Sequence, residues 1–73
     1  MYRVRFASMA ILSAGYDAQR AMLEVEFSGD GQIFRYYEVP EDLWYRFRGE
    51  SSPDCFFNQC IKGYFVEKRM TGG

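Results

Sequence analysis

Met22-Leu-Glu-Val-Glu-Phe-Ser-Gly-Asp-Gly-Gln-Ile-Phe-Arg-Tyr-Tyr-Glu-Val-Pro40 is the stretch on which the fold turns. Leu23, Val25 and Phe27 alternate with Glu24 and Glu26, the period-two pattern of a strand with one buried face. Gly29-Asp30-Gly31 turns the chain, and Gln32 to Val39 runs back. Placing Ser28 opposite Gly31 across a two-residue turn sets Val25 against Phe34, Leu23 against Tyr36 and Glu24 against Arg35. Apolar residues then meet on one face and opposite charges on the other. A slip of one residue would set Val25 against Arg35, so the register is fixed by the pattern.

Upstream, Ser8 to Ala14 reads as the preceding strand, ended by Gly15-Tyr16-Asp17, with Asp17 to Arg20 as the turn into Met22. The alternation of Tyr2, Val4 and Phe6 with Arg3 and Arg5 predicts an edge strand or an ordered arm over residues 1–7. Downstream, Pro40 suits the first position of a short helix, with Glu41 and Asp42 where the helix dipole favours acids and Gly49 as the stop. Leu43, Trp44 and Phe47 form its apolar stripe. Ser52-Pro53-Asp54 repeats the start signal for a second helix that sets Phe56, Phe57, Cys60, Ile61 and Tyr64 near one face, with Gly63 ending it. Tyr64 to Arg69 then runs extended, and residues 71–73 read as a flexible tail. Strands first and helices last give an α+β fold. It is expected to be a small antiparallel β-meander of three to four strands with two C-terminal helices packed on one face, a single domain over residues 8–70.

Seventy-three residues leave no room for a second core, and chains this short sit near the limit of stability. Seven Phe, six Tyr and one Trp supply large buried surfaces at low rotamer cost. The formal net charge of −1 argues against a protein built chiefly to hold nucleic acid. The charges are nevertheless segregated: eight of the ten acids fall between Glu24 and Asp54, while both ends are basic. Were the ends to meet, they would form a basic patch. Ordinary solvated charge is the plainer reading.

Histidine is absent, which removes the commonest general base and metal ligand. Cys55 and Cys60 alone make no zinc site, and their five-residue spacing on a helix keeps them from pairing. Cys55, in the first turn of its helix, has no base nearby in sequence and reads as a small packed residue. No serine sits in a nucleophile elbow, and Gly29-Asp30-Gly31 leads into a strand rather than a helix, so it is no phosphate loop. The expectation is a non-enzymatic protein with no catalytic residues, no metal and no cofactor. Free thiols, no leader and no membrane-length apolar run point to the cytoplasm.

Ser13-Ala-Gly-Tyr16-Asp17, Leu23 to Phe27, Ile33-Phe-Arg-Tyr36 with Val39-Pro40, and Cys55-Phe-Phe-Asn58 with Ile61-Lys62 and Tyr64 together resemble the KTSC domain, across roughly Ser8 to Met70. That family is named for the C-terminus of some lysyl-tRNA synthetases and also occurs as stand-alone small bacterial or phage proteins. The chain departs from the family pattern at Phe34, where the family tends to carry the first tyrosine of Tyr-x-Tyr. It departs again at Pro53-Asp54, where a glycine is usual. The resemblance implies a small domain of unassigned function, with RNA binding suggested by its attachment to a synthetase.

Two readings follow. The first is a protein–protein interaction module, engaging a partner or a second copy through a sheet face that shows Met22, Ile33 and Tyr37. Such a module would serve as a bacterial or phage-encoded accessory protein that modulates a host complex. The alternative is RNA binding by the basic ends, Arg3, Arg5, Lys62, Lys68 and Arg69, with Tyr64 or Tyr37 as stacking partner. Glu24 and Glu26 on the same sheet face as Arg35 would repel phosphates. The candidate binding residues are therefore Arg3, Arg5, Arg35, Tyr37, Lys62, Tyr64, Lys68 and Arg69. Asn58, beside two core rings, is expected to tie helix to loop, with a ligand contact as its other role.

Overall fold

The computed structural model describes residues 3–29 and 31–70, so the expected tail and the first two residues of the arm lie outside it. Five strands, β1 (Arg3–Arg5), β2 (Ile11–Asp17), β3 (Met22–Phe27), β4 (Ile33–Tyr36) and β5 (Glu67–Met70), form one antiparallel sheet in chain order. Helices α1 (Glu41–Arg48) and α2 (Pro53–Cys60) are inserted between β4 and β5. The β3–β4 register is the expected one, Leu23 opposite Tyr36, Glu24 opposite Arg35 and Val25 opposite Phe34. Gly29 and Gly31 take φ of +90° and +70° to make that turn, a backbone region that an L side chain disfavours.

Three local differences from the sequence reading have physical causes. β2 runs through Gly15, Tyr16 and Asp17 instead of ending there, because all three pair with β3, opposite Glu24, Leu23 and Met22. The extended C-terminal segment becomes a fifth strand because its backbone completes a ladder with β4, although Glu67, Lys68 and Arg69 stay exposed. Pro40 takes the N-cap rather than the first helical position, its carbonyl accepting the Leu43 and Trp44 N–H groups.

The core lies between the helices and one sheet face. Ile11, Ala14, Leu23, Val25, Val39, Phe47 and Ile61 are fully buried. Phe47 is the hub of the rings, 4.8 Å from Phe6, 5.9 Å from Phe56, 6.3 Å from Phe57 and 6.4 Å from Trp44 between centroids. Trp44 stacks on Tyr16, whose hydroxyl donates to the Val39 carbonyl. Burial raises the Tyr16 phenol, with Glu41, Asp42 and Asp17 adding to the effect. α2 reaches the far half of the sheet through Phe57, which meets Phe27 at 5.3 Å and Tyr36 at 5.5 Å. Tyr64 does not join that stripe: α2 ends at Cys60, the chain turns through residues 61–64, and Tyr64 is 70% exposed.

Candidate functional site

The outer sheet face is organised around one carboxylate. In register, Arg3, Gly15, Glu24, Arg35 and Lys68 form a single row across the five strands. Gly15 carries no side chain, so Arg3 reaches across β2 to Glu24. Its Nη2 donates to Oε1 of Glu24 and its Nη1 to the Ser13 hydroxyl at 3.0 Å. From the other side Arg35 Nε donates to Oε2 of Glu24 at 2.8 Å. That bond holds the Arg35 guanidinium above its ordinary range, and Tyr37 beside it adds to the effect. Ser13 in turn donates to Glu26 at 2.9 Å.

This row corrects the picture of an uncovered sheet face. Glu24 is only 9% exposed and Met22 only 4%, and Arg35 and Tyr37 are half-buried against each other. The two arginines lie over the acid because a buried carboxylate without partners would be expensive.

The basic ends do not meet. Arg3 and Arg5 stand on β1 and Lys68 and Arg69 on β5, the two opposite edges of the sheet. Four strand spacings separate them, about 19 Å. Arg3 is spent on Glu24, and Arg5 is exposed at its own edge. Lys68 and Arg69 stand on the β5 edge with their side chains on opposite faces, Lys62 lies on the helix side near Glu67, and all three, like Tyr64, are exposed.

There the helices leave a gap. A cleft of about 360 Å³ opens between α2 and the β4–β5 end of the sheet, within the size range of small-ligand and peptide side-chain sites. Its floor is Ile11, Phe27, Phe34, Tyr36 and Phe57, and its rim is Gln32, Asp54, Asn58, Lys62 and Glu67. Asp54, Asn58 and Lys62 follow one another at four-residue steps, so α2 and the turn after it present them as one polar stripe. Glu67 faces them from β5 and accepts the Tyr36 hydroxyl proton at 2.7 Å. Burial, reinforced by that carboxylate, pushes the Tyr36 phenol well above its ordinary value. The Asn58 side chain makes no hydrogen bond among the described residues, so it does not tie helix to loop as expected; it stands exposed on the cleft rim.

Of the candidate residues read from sequence, the cleft rim includes Lys62 alone. Sequence reasoning took Phe34 and Tyr36 correctly as inward-facing but missed that the core stops short over Phe34. Their exposure differs: Tyr36 is 1% exposed, while Phe34 is half-buried. A smaller cavity of about 250 Å³ lies beside Val4 to Ala7 and Arg48 to Pro53. Cys55 is exposed and Cys60 half-buried, both as free thiols. Among the described residues, no helix is long and apolar enough to cross a membrane.

The family model of the KTSC domain matches residues 7–65. An uncharacterized protein of Stutzerimonas stutzeri strain A1501 is 39% identical over 62 residues, covering 85% of this chain and 86% of its own. A protein of Tsukamurella paurometabola is 36% identical over 58 residues, covering 80% and 85%. The crystal structure of a KTSC domain protein from Yersinia pestis superposes with a TM-score of 0.90 at 36% identity, over 96% of this chain and 97% of that one. With the meander, the two inserted helices and these matches in agreement, the chain belongs to the KTSC domain family.

Proposed function

We propose that the chain is a non-enzymatic protein-interaction module of the cytoplasm, and that the cleft between α2 and the β4–β5 end of the sheet is its binding site. One observation carries this reading: the half-buried rings of Phe27 and Phe34, backed by the buried Ile11, Tyr36 and Phe57, lie under a rim whose Asp54, Asn58 and Lys62 have no side-chain partner among the described residues. Apolar floors with a few convergent polar groups are what binding sites are made of, and unpaired rim groups are free to bond a ligand. The rim mixes Lys62 with Asp54 and Glu67, a balance suited to polypeptide more than to a chain of phosphates. The split of the basic residues between two sheet edges likewise favours protein over RNA.

The test is affinity capture of the tagged protein from its native lysate, with and without nuclease, beside two variants. Asn58→Arg fills the cleft mouth from an exposed position, and Tyr45→Ser alters the exposed side of α1. The expected result is a protein partner that survives nuclease and is retained by Tyr45→Ser but lost with Asn58→Arg. A partner indifferent to Asn58→Arg, or capture of RNA that moderate salt removes, would overturn the reading.

A further inference from the structure

β5 is an edge strand. The Tyr37 N–H donates to the Val66 carbonyl at 3.1 Å, which fixes the phase of the ladder. The backbone groups of Val66, Lys68 and Met70 face β4, and those of Glu67 and Arg69 face outward. No described residue pairs that outer side. The register also places Arg69 opposite Phe34 and Glu67 opposite Tyr36, on the helix side, where Glu67 forms part of the cleft rim. An open ladder edge and an apolar cleft therefore adjoin.

Charge decides what fits this edge. On the outer face, the row of Arg3, Glu24, Arg35 and Lys68 holds three cations and one acid, and Glu24 serves Arg3 and Arg35. Lys68 has no carboxylate partner among the described residues, so the row ends in unbalanced positive charge. A second copy of the chain does not balance it. Two-fold pairing of β5 with itself that matches outward-facing Glu67 to Arg69 sets Lys68 against Lys68, and like charges directly opposite are destabilising.

We infer that this edge accepts, as a sixth strand, an extended segment of a partner protein in which acidic and apolar residues alternate. An Asp or Glu stands opposite Lys68 on the outer face. Its apolar neighbours point to the helix side, and a long one lies over the open side of the cleft beneath Asn58 and Lys62. Main-chain bonds to Glu67 and Arg69 supply affinity, while the cleft and Lys68 supply selectivity. The inference rests on the proposed protein-binding role and adds to it the mode of binding and the chemistry of the partner.

A displayed library of random dodecapeptides, selected on the full chain, tests it. The selected peptides are expected to alternate acidic with apolar residues. Arg69→Pro removes an outward N–H and leaves the β4 ladder its donors, so it should weaken the selected peptide about ten-fold, the worth of one good hydrogen bond. Lys68→Glu should shift the selection from acidic to basic peptides. A probe that leaves the protein untouched guards against misfolding of Arg69→Pro: N-methylation of every second peptide residue should abolish binding in one phase and spare it in the other. Equal tolerance of both phases, selection of peptides without acids, or selection of none overturns strand addition. If both phases are tolerated and Asn58→Arg still blocks the peptide, the cleft reading stands and only the added strand is lost. If Asn58→Arg is harmless as well, both fail.

Discussion

Glu24→Gln is the sharpest test of how the sheet is held together. The carboxylate is 11% exposed and accepts from two guanidinium groups that are each 33% exposed. Hydrogen bonds to charged groups contribute roughly 1.5–3 kcal/mol each. The amide keeps one acceptor, so one of the two bonds survives in a weaker, neutral form. Its NH₂ group faces the other arginine as a second donor, and that bond is lost. Allowing for the solvent that screens the arginines, the net cost comes to about 2–3 kcal/mol. A domain of this size has roughly 4–11 kcal/mol in hand, and 1 kcal/mol moves its melting point by about 4–8 °C. Circular-dichroism melts and urea titration should therefore show a loss on the order of 10–20 °C with an unchanged m-value. Arg3→Gln should cost less, because Arg35 still neutralises the acid. A Glu24→Gln variant within about 0.5 kcal/mol of the parent would refute the idea that this acid organises the sheet.

Two further outcomes follow from the core. Tyr36 keeps its proton more tightly folded than unfolded, so above about pH 10 the unfolded chain loses a proton that the native state retains. Its contribution is whole below that pH and declines as pH rises; urea midpoints should fall through the alkaline range, and Tyr36→Phe should flatten that fall. Phe47, fully buried at the centre of the ring cluster, should cost about 3–5 kcal/mol as Phe47→Ala. That is enough to leave much of the chain unfolded at 37 °C, as one-dimensional proton NMR would show; sharp, dispersed methyl resonances there would count against its central role.

The hairpin of β3 and β4 was legible because two independent patterns, apolar period and charge pairing, demanded the same register. Both helix starts were legible from a proline followed by acids. The end of β2 was not. Gly15-Tyr16-Asp17 carries turn chemistry, yet Gly15 lies in a strand, on the line between Arg3 and Glu24, a role visible only once three strands are side by side. β5 lacked a buried alternation to read, since its place is fixed by backbone bonds and by the Tyr36 hydroxyl on Glu67. The candidate site suffered most. Its lining comes from β2, β3, β4, β5 and α2 together with the turns beside them, and no local spacing connects these segments. The basic-patch reading failed on topology alone, because a meander in chain order puts its first and last strands at opposite edges.

That topology also accounts for the cleft. The two helices carry their large rings inward at Trp44, Phe47, Phe56 and Phe57, and these reach Phe6 on the β1 side and no farther than Tyr36 on the other. Beyond Tyr36 the sheet continues by one strand, but the helix layer does not. β5 brings Glu67 and Arg69 to the helix side where a covered strand would bring apolar residues. Ordering four such residues costs roughly 1–2 kcal/mol each in backbone entropy, with little apolar burial in return. The ladder to β4 and the Tyr36–Glu67 bond offset part of that cost. A strand that stabilises the isolated fold so little, yet extends the sheet past its helices, has its clearest physical use in what it exposes: an open edge beside an apolar floor. On this argument, deleting the Glu67 acceptor by Glu67→Ala should loosen β5 before it touches the core. Amide exchange at Arg35 and Tyr37, whose N–H groups face β5, should quicken while that at Leu23 and Val25 holds, and equal acceleration in all four would mean that β5 is part of the cooperative core after all.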